Sequence, residues 1–212
     1  MQTNKVSDWV EGGHGATQDE SYDSRDTNGS NVLANLEVVR MHKIPRNREQ
    51  IQWMMNDKND EEIGYIKKAT CGIRDRLFGS FFKAAYDDTE LLLFSIKRKA
   101  SFRRDADCTI LAKDSTAIGY VDIGRNTNGV EYHIKDAAKT TIFVITRPLR
   151  QMRAGYLPYT IKDMDGEVIG TVDRRWQVLR RHRSNFEIKF PKTMDSNIKS
   201  TILTAVQFIN KY

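Results

Sequence analysis

The chain has 212 residues, 39% of them apolar, which suffices for one domain with a sizeable core and is too short for two large ones. Its formal net charge of +6 is uneven, because residues 1–30 hold two cations against six carboxylates and the rest is strongly basic, which points to an anionic partner. Two cysteines, no secretory signal and no apolar run near about 20 residues argue against a disulfide framework and a transmembrane helix, and favour a cytoplasmic protein.

Residues 1–30 are predicted to form a disordered acidic tail, because they offer almost nothing to bury apart from Trp9 and Tyr22. Recruitment of protein partners through this tail is left open. From Val32 onward, short apolar runs alternate with Asp, Asn and Gly, a pattern typical of many short strands, and LEVVRMHKI at 36–44 is the first of them. The folded domain is therefore predicted to span residues 31–212.

One phrase recurs three times, as IGYI at 63–66, IGYV at 118–121 and IGTV at 169–172. Each copy follows a polar turn, which predicts the return strand of a hairpin, and Asp165-Gly166 suits a two-residue hairpin turn. A basic connection and a second strand pair follow the first two copies, at 81–98 and 132–147. The third copy is followed by a single strand, FEIKF at 186–190, and then by Pro191 and a helix, so that its final strand is missing.

The last segment, DSNIKSTILTAVQFIN at 195–210, has apolar residues at helical spacing that extend around most of its circumference, with Asp195 or Ser196 as the N-cap. Three repeats of about four strands predict an antiparallel sheet of roughly twelve strands, and closure into a barrel removes its exposed edges. A barrel of that width needs an element to fill it. We therefore predict a mainly β fold, a closed antiparallel barrel of about twelve strands wrapped around the buried C-terminal helix.

Three stretches of sequence carry a family resemblance. GTVDRRW at 170–176, NFEIKFP at 185–191 and Asp195 followed by Ile198-Lys199 resemble the C-terminal region of the phospholipid scramblases and, more broadly, of the tubby-like superfamily. The resemblance covers roughly residues 33–210. It implies a twelve-stranded barrel closed around a C-terminal helix, a role in phospholipid scrambling, and a peripheral position at the plasma membrane.

The chain departs from the scramblase pattern in ways that bear on function. Scramblases carry an acidic, proposed calcium-binding segment where this chain has Arg180, Arg181, His182 and Arg183, which supply cations rather than carboxylate oxygens. No calcium and no other cofactor is therefore expected. The family's Cys-rich palmitoylation run is also missing, and Thr204 and Gln207 favour a helix that fills the barrel over one that spans a bilayer.

Two basic clusters are the candidate binding site. Clustered guanidinium groups can grip phosphate oxygens in bidentate fashion, which suits the headgroups of anionic phospholipids, and the resemblance to tubby proteins points to phosphoinositides. The alternative is an ordinary solvated face of a basic protein. The predicted headgroup-binding residues lie near one rim of the barrel and are Lys97, Arg98, Lys99, Arg103, Arg104, Arg174, Arg175, Arg180, Arg181 and Arg183.

A second function stays open, namely a soluble adaptor or nucleic-acid-associated module that keeps the barrel without lipid transport, and with it a nuclear location. Phe102 and Trp176 lie among the basic residues and could stack on bases, but no recognisable nucleic-acid motif is present, so lipid is the favoured anion. No Ser/His/Asp or Cys/His set has supporting context, which predicts that the protein is not an enzyme. The acidic turn at 162–167 reads as a hairpin turn rather than a calcium loop, because Arg174 stands where such a loop needs a bidentate Glu.

Overall fold

The computed structural model describes residues 31–45, 50–68, 81–98, 108–126, 129–147, 156–176 and 184–209. Within these ranges it contains twelve strands and two helices. The helices are α1 (Asn31–Ala34) and α2 (Ser196–Ile209). The strands are β1 (Val38–Lys43), β2 (Ile51–Asn56), β3 (Glu62–Lys68), β4 (Phe81–Tyr86), β5 (Leu92–Arg98), β6 (Cys108–Leu111), β7 (Ala117–Asn126), β8 (Gly129–Lys135), β9 (Thr141–Thr146), β10 (Tyr156–Asp163), β11 (Val168–Trp176) and β12 (Ser184–Lys189).

The strands form one closed antiparallel barrel in which each strand pairs with its neighbours in sequence and β1 pairs with both β2 and β12. This confirms the predicted fold class. Because the strand direction alternates, the odd-numbered strands all end at one end of the barrel, which we call the mouth. The five hairpin turns at 57–61, 87–91, 112–116, 136–140 and 163–167 lie at the opposite end, which we call the turn end.

Strand β1 completes the third repeat. The repeats are β2 to β5, β6 to β9 and β10 to β12, so the third lacks a fourth strand in sequence, as predicted. In space, β1 occupies that position, with Val39 opposite Ile188, and the backbone N–H of Phe190 donates to the carbonyl of Glu37 at 3.0 Å. The N-terminal strand therefore closes the barrel.

The five hairpin turns share one geometry. In the turn at 163–167 the N–H of Asp163 donates to the carbonyl of Glu167, and the Asp163 carboxylate accepts the N–H groups of Asp165 and Glu167. Three residues lie between these closing residues, so the predicted two-residue turn is wrong. A two-residue type I′ turn needs positive φ at both of its central residues, whereas here only Gly166 has it, at 87°. The backbone carbonyl of Asp163 accepts the N–H of Gly166 and closes the wider turn. The other four turns place Asp60, Glu90, Ser115 and Lys139 in the same conformation, with φ of 66° to 67°.

The glycine of each repeated phrase permits a close approach of backbone. Gly64, Gly119 and Gly170 lie in β3, β7 and β11, the return strands that the phrase predicts, and each stands opposite a residue next to a register shift. A Cβ atom would collide with the carbonyl oxygen of Tyr86 at Gly64 and with that of Lys189 at Gly170. At Gly119 it would collide with the hydroxyl of Thr201 on α2. The glycine of each phrase therefore lies where the end of a neighbouring strand, or the helix, is in close contact with its own strand.

Helix α2 fills the barrel, and its eleven residues from Lys199 to Ile209 are all buried. Asp195 is the N-cap, since its carboxylate accepts the N–H of Asn197 at 2.8 Å. The hydroxyls of Thr201 and Thr204 donate to the carbonyls of Asn197 and Ser200, one turn back, at 2.8 and 2.9 Å. These polar side chains are therefore satisfied within the helix itself and can be buried in an apolar core.

Lys199 ties the start of α2 to the N-terminal segment. Its side chain is 0% exposed, and its ammonium donates to the carbonyls of Leu33, Ala34 and Lys192 at 3.1, 2.7 and 3.2 Å. Burial lowers the pKa of Lys199, and the nearby charges of Asp195 and Glu37 oppose that shift. Two of the three carbonyls belong to α1, which is too short to satisfy its own last carbonyls. One buried cation therefore holds α1, α2 and the segment before α2 together.

We expect Gly119→Ala to destabilise the fold by about 1–3 kcal/mol, because the added methyl group overpacks the contact between β7 and α2. Thr201→Ala should restore part of this loss in the double variant, since it removes the hydroxyl and the methyl group that the new Cβ meets. Urea denaturation of the two single variants and the double variant measures the coupling. Strictly additive effects would mean that the helix does not press on the sheet at Gly119.

We expect Lys199→Met to lower the free energy of unfolding by about 1–3 kcal/mol, because three buried carbonyls lose their shared donor. Lys192→Met is the matched control, since the side chain of Lys192 is exposed. Urea denaturation of both variants gives the comparison. Equal stability of the two would contradict a structural role for the buried ammonium.

Candidate anion-binding site

Both predicted basic clusters map to the mouth of the barrel. Lys97 and Arg98 end β5, and Arg174 and Arg175 lie within the last three residues of β11. Both strands are odd-numbered, so both ends face the same way. The other predicted headgroup-binding residues lie outside the described part of the chain and are Lys99, Arg103, Arg104, Arg180, Arg181 and Arg183.

The two clusters lie on opposite sides of the mouth. Strands β5 and β11 are six places apart in a ring of twelve, which is half the circumference. With strands about 4.8 Å apart and tilted as barrels require, the mouth is about 20–25 Å across. A single phosphate group cannot touch both clusters, whereas a flat anionic surface or an extended ligand can.

The side chains of these residues point in different directions. Lys97 is exposed on the outer face of β5, whereas Arg98 stands opposite Phe81 and buried Cys108 and so faces the interior. The Arg98 guanidinium lies 6.0 Å from the centre of the Phe81 ring. Arg174 faces inward in the same way, opposite buried Phe186 and 5.8 Å from the centre of its ring. Only the backbone of Arg175 is described. The predicted site therefore contains both inward and outward cations.

Four further inward-facing cations near the mouth were not predicted. Lys83 is 8% exposed, and its ammonium donates to the side-chain carbonyl of Gln207 on α2 at 2.9 Å. Lys68 stands opposite Lys83, and Lys43 stands opposite buried Trp53. Arg147 directly follows β9. The sequence does carry a signal for most of them: Lys43, Lys68 and Arg147 each come two residues after a buried apolar residue, and positions two apart in a strand share a face.

Arg147 and Arg174 interact electrostatically across the inner surface. Burial lowers the pKa of Arg174, with the charge of Arg147 acting in the same direction and Tyr159 and Tyr132 opposing it. Burial raises the pKa of Tyr159, and the charges of Arg147 and Arg174 oppose that shift. Charges that are partly removed from water interact more strongly than charges in bulk solvent. An anion that reaches this side of the mouth would therefore be bound more firmly than one on the outer surface.

The two ends of the barrel carry opposite charge. The five turns of the turn end contain eleven carboxylates against three lysines. The segments of sequence that join strands at the mouth contain thirteen lysines and arginines against four carboxylates; most of their residues, at 46–49, 69–80, 99–107, 127–128, 148–155 and 177–183, lie outside the described ranges. The charge asymmetry therefore runs along the barrel axis.

The described residues give no metal site. Within the seven described ranges, no three side chains of His, Cys, Asp or Glu come close enough together to hold an ion. Residues 180–183, where scramblases have their acidic segment, fall outside those ranges. The thiol of Cys108 is buried on the inner face of β6 and forms no disulfide. In the same part of the chain, neither helix has the length and hydropathy that a membrane crossing needs.

Comparison with known proteins identifies the family. A protein-family model described as Scramblase matches residues 49–212. The chain belongs to the scramblase family. Scramblases are a family of lipid-binding and lipid-transport proteins rather than one defined by catalysis, so membership supports a scramblase-like role that involves membrane lipid. The resemblance found in the sequence is thereby confirmed at the level of the family.

The fold of this scramblase-family protein is also found among solved structures. A protein from Arabidopsis thaliana, determined by X-ray crystallography, superimposes with a TM-score of 0.52 at 9% sequence identity, over 85% of this chain and 96% of that chain. At this identity the likeness shows the fold alone. No curated protein sequence matches the chain.

We expect Lys83→Met and Gln207→Leu to be coupled. Each single substitution should lower the free energy of unfolding by about 1–3 kcal/mol, because it leaves a buried polar partner behind, whereas the double variant replaces both by apolar groups. Urea denaturation of the three variants gives the interaction free energy. Additivity within about 0.5 kcal/mol would show that the bond between the strand and the helix contributes nothing.

Proposed function

We propose that this scramblase-family protein binds anionic phospholipid, phosphoinositides in particular, at the cytoplasmic surface of the plasma membrane, with the mouth of the barrel facing the bilayer. The observation that carries the proposal is the charge asymmetry along the barrel axis. Each Lys or Arg near an anionic membrane contributes about 1 kcal/mol of attraction, whereas the carboxylates of the turn end are repelled. The two effects together orient the barrel end-on.

The geometry of the mouth favours a membrane over nucleic acid. Cations are distributed around a ring about 20–25 Å across, so that a plane touches them together, whereas a nucleic-acid strand follows a linear groove lined with cations and stacking aromatics. An adaptor or nucleic-acid-associated module is the alternative function. Such a module would bind its anionic partner through the same basic residues and would not transport lipid.

The proposed role in phospholipid scrambling does not use the inside of the barrel as a lipid path, because α2 fills it. Lipid would instead be engaged at the mouth. Calcium is not expected to be required, since residues 180–183 offer no carboxylate ligands. Reconstituted protein should move fluorescent lipid at the same rate with calcium and with a chelator.

Flotation of the full chain with liposomes tests the proposal. We expect no flotation with phosphatidylcholine alone, flotation when phosphatidylserine is added, and stronger flotation when a phosphoinositide replaces phosphatidylserine at equal total charge. Binding should weaken as salt rises, because the attraction is electrostatic. Absence of flotation on every anionic vesicle at low salt, together with a salt-sensitive gel shift of single-stranded RNA, would favour the alternative.

Matched charge reversals at the two ends test the orientation. We expect Lys97→Glu/Arg175→Glu, at the mouth, to weaken binding to anionic vesicles by at least about tenfold. Lys58→Glu/Lys113→Glu is the control, since it changes the net charge equally in exposed positions of the turn end. Equal losses in the two variants would show that only net charge matters, and that the mouth is not the membrane-facing end.

A further inference from the structure

One three-residue pattern recurs on every strand that ends at the mouth. An apolar residue, then any residue, then a cation occurs within two residues of the end of each of the six odd-numbered strands. We call the six cations the collar. They are Lys43 after Met41, Lys68 after Ile66, Arg98 after Ile96, Arg125 after Ile123, Arg147 after Ile145 and Arg174 after Val172.

The pattern directs the collar toward the barrel axis. The six apolar residues are at most 3% exposed, and residues two apart in a strand share a face. The cross-strand partners agree with this, since Lys43 stands opposite Trp53, Arg98 opposite Cys108 and Arg174 opposite Phe186, all of them buried. For Arg125 only the strand position is described. The other five cations face inward at one level of the barrel.

Four of the even-numbered strands place apolar side chains between these cations, and β4 also places Lys83 opposite Lys68. Trp53, Phe81, Cys108 and Phe186 come from β2, β4, β6 and β12 at the same level. The rings of Phe81 and Phe186 lie 6.0 and 5.8 Å from the guanidinium carbons of Arg98 and Arg174. Contact with a ring face restrains a guanidinium group at little desolvation penalty. The collar is therefore partly ordered before any ligand arrives.

Helix α2 cannot account for the collar. Its last turn lies at this level, since the Phe208 ring is 5.9 Å from that of Phe81. The C-terminus of a helix carries a partial charge equivalent to about half an electron, which one cation suffices to offset. The five described cations at one level are far more than that, and their mutual repulsion would disfavour the arrangement if it served packing alone. The excess indicates an anionic ligand.

The spacing of the collar selects the kind of anion. Neighbouring collar positions are two strands apart, about 10 Å, so that a single phosphate group meets only one or two of the cations. A compact molecule with phosphate groups spread around a ring can meet several at once, with bidentate contacts from the arginines. We propose that the collar is a binding site, inside the mouth, for a ligand bearing several phosphate monoesters on a small scaffold.

Two sources offer this chemistry, the headgroup of a membrane phosphoinositide and a free inositol polyphosphate. The first case rests on the proposed function and deepens it, because it moves the specific contacts from the outer surface to the inner face of the barrel. The second case does not require a membrane. Vesicles and a soluble ligand therefore form separate arms of one experiment.

The experiment compares inward and outward cations at the same end. Arg147→Gln/Arg174→Gln removes two collar charges, and Lys67→Gln/Lys97→Gln removes two charges from the outer face of β3 and β5. Binding of inositol hexakisphosphate is measured by calorimetry, and binding to vesicles with phosphatidylinositol bisphosphate or phosphatidylserine, at equal charge, by flotation. We expect the collar variant to lose at least about tenfold in affinity for the hexakisphosphate, the bisphosphate vesicles, or both. We expect the outer variant to keep its affinity for the hexakisphosphate within about threefold and to weaken binding to the two kinds of vesicle equally, because Lys97 contributes to the general attraction of the mouth to an anionic membrane.

The two failures can be told apart. If the wild-type chain floats with anionic vesicles, but the outer variant loses as much hexakisphosphate affinity and as much preference for bisphosphate vesicles as the collar variant, the collar is not the site and the proposed membrane function stands. If the wild-type chain floats with no vesicle, but the collar variant loses hexakisphosphate binding that the wild-type chain shows, the proposed membrane function is wrong and the collar site stands. If the collar variant keeps its affinity for both the hexakisphosphate and the bisphosphate vesicles, the proposed collar site is wrong.

Folding of the variants must be separated from binding. A second collar variant, Lys43→Gln/Lys68→Gln, lies on other strands of the mouth, and it should reproduce the loss if the ring acts as a unit. Arg147→Lys/Arg174→Lys keeps the charge but not the bidentate geometry, so it should recover part of the affinity. Urea denaturation of each variant shows whether it is folded. A loss confined to unfolded variants would count against the collar.

Discussion

The enclosure of α2 is the constraint on which the rest of the structure depends. A barrel of twelve strands is wider than side chains alone can fill, so a buried element is required, and α2 supplies it. The buried ammonium of Lys199 and the cap from Asp195 fix the helix at the turn end. The direction of α2 then brings its negative terminus to the mouth. Structure and electrostatics are thus set by one packing requirement.

The two ends of the barrel differ in the origin of their charge. At the turn end, an Asp side chain accepts a turn amide in each of the five turns, and a polar residue or glycine adopts positive φ in each, so much of the acidity follows from local turn geometry. No such requirement calls for cations at the mouth. Their accumulation there fits the anion binding proposed for the mouth. The acidity of the turn end is thus required by its local turn geometry, whereas the basic charge of the mouth is not.

Much of the fold could be predicted from the sequence, because repeated phrases and helical periodicity are local signals. The three return strands, the capped helix and the common end of the two basic clusters all follow from such patterns. Local signals do not reveal long-range pairing, so the place of β1 beside β12 was missed. The burial of Lys199 was missed because its acceptors are backbone carbonyls, which leave no trace in the sequence. The inward orientation of the Arg98 and Arg174 side chains depends on strand register, and that register is set by the pairing of the strands in the closed barrel.

The position of β1 has a consequence for how the molecule is made. Val39 pairs with Ile188, so one edge of β1 stays open until β12 has been synthesised. The helix that must lie inside is made later still. Contacts of such sequence separation slow folding, and unpaired edges invite association with other chains until closure. The barrel can therefore close only after β12 and α2 have been synthesised, and its open strand edges are exposed to other chains until then.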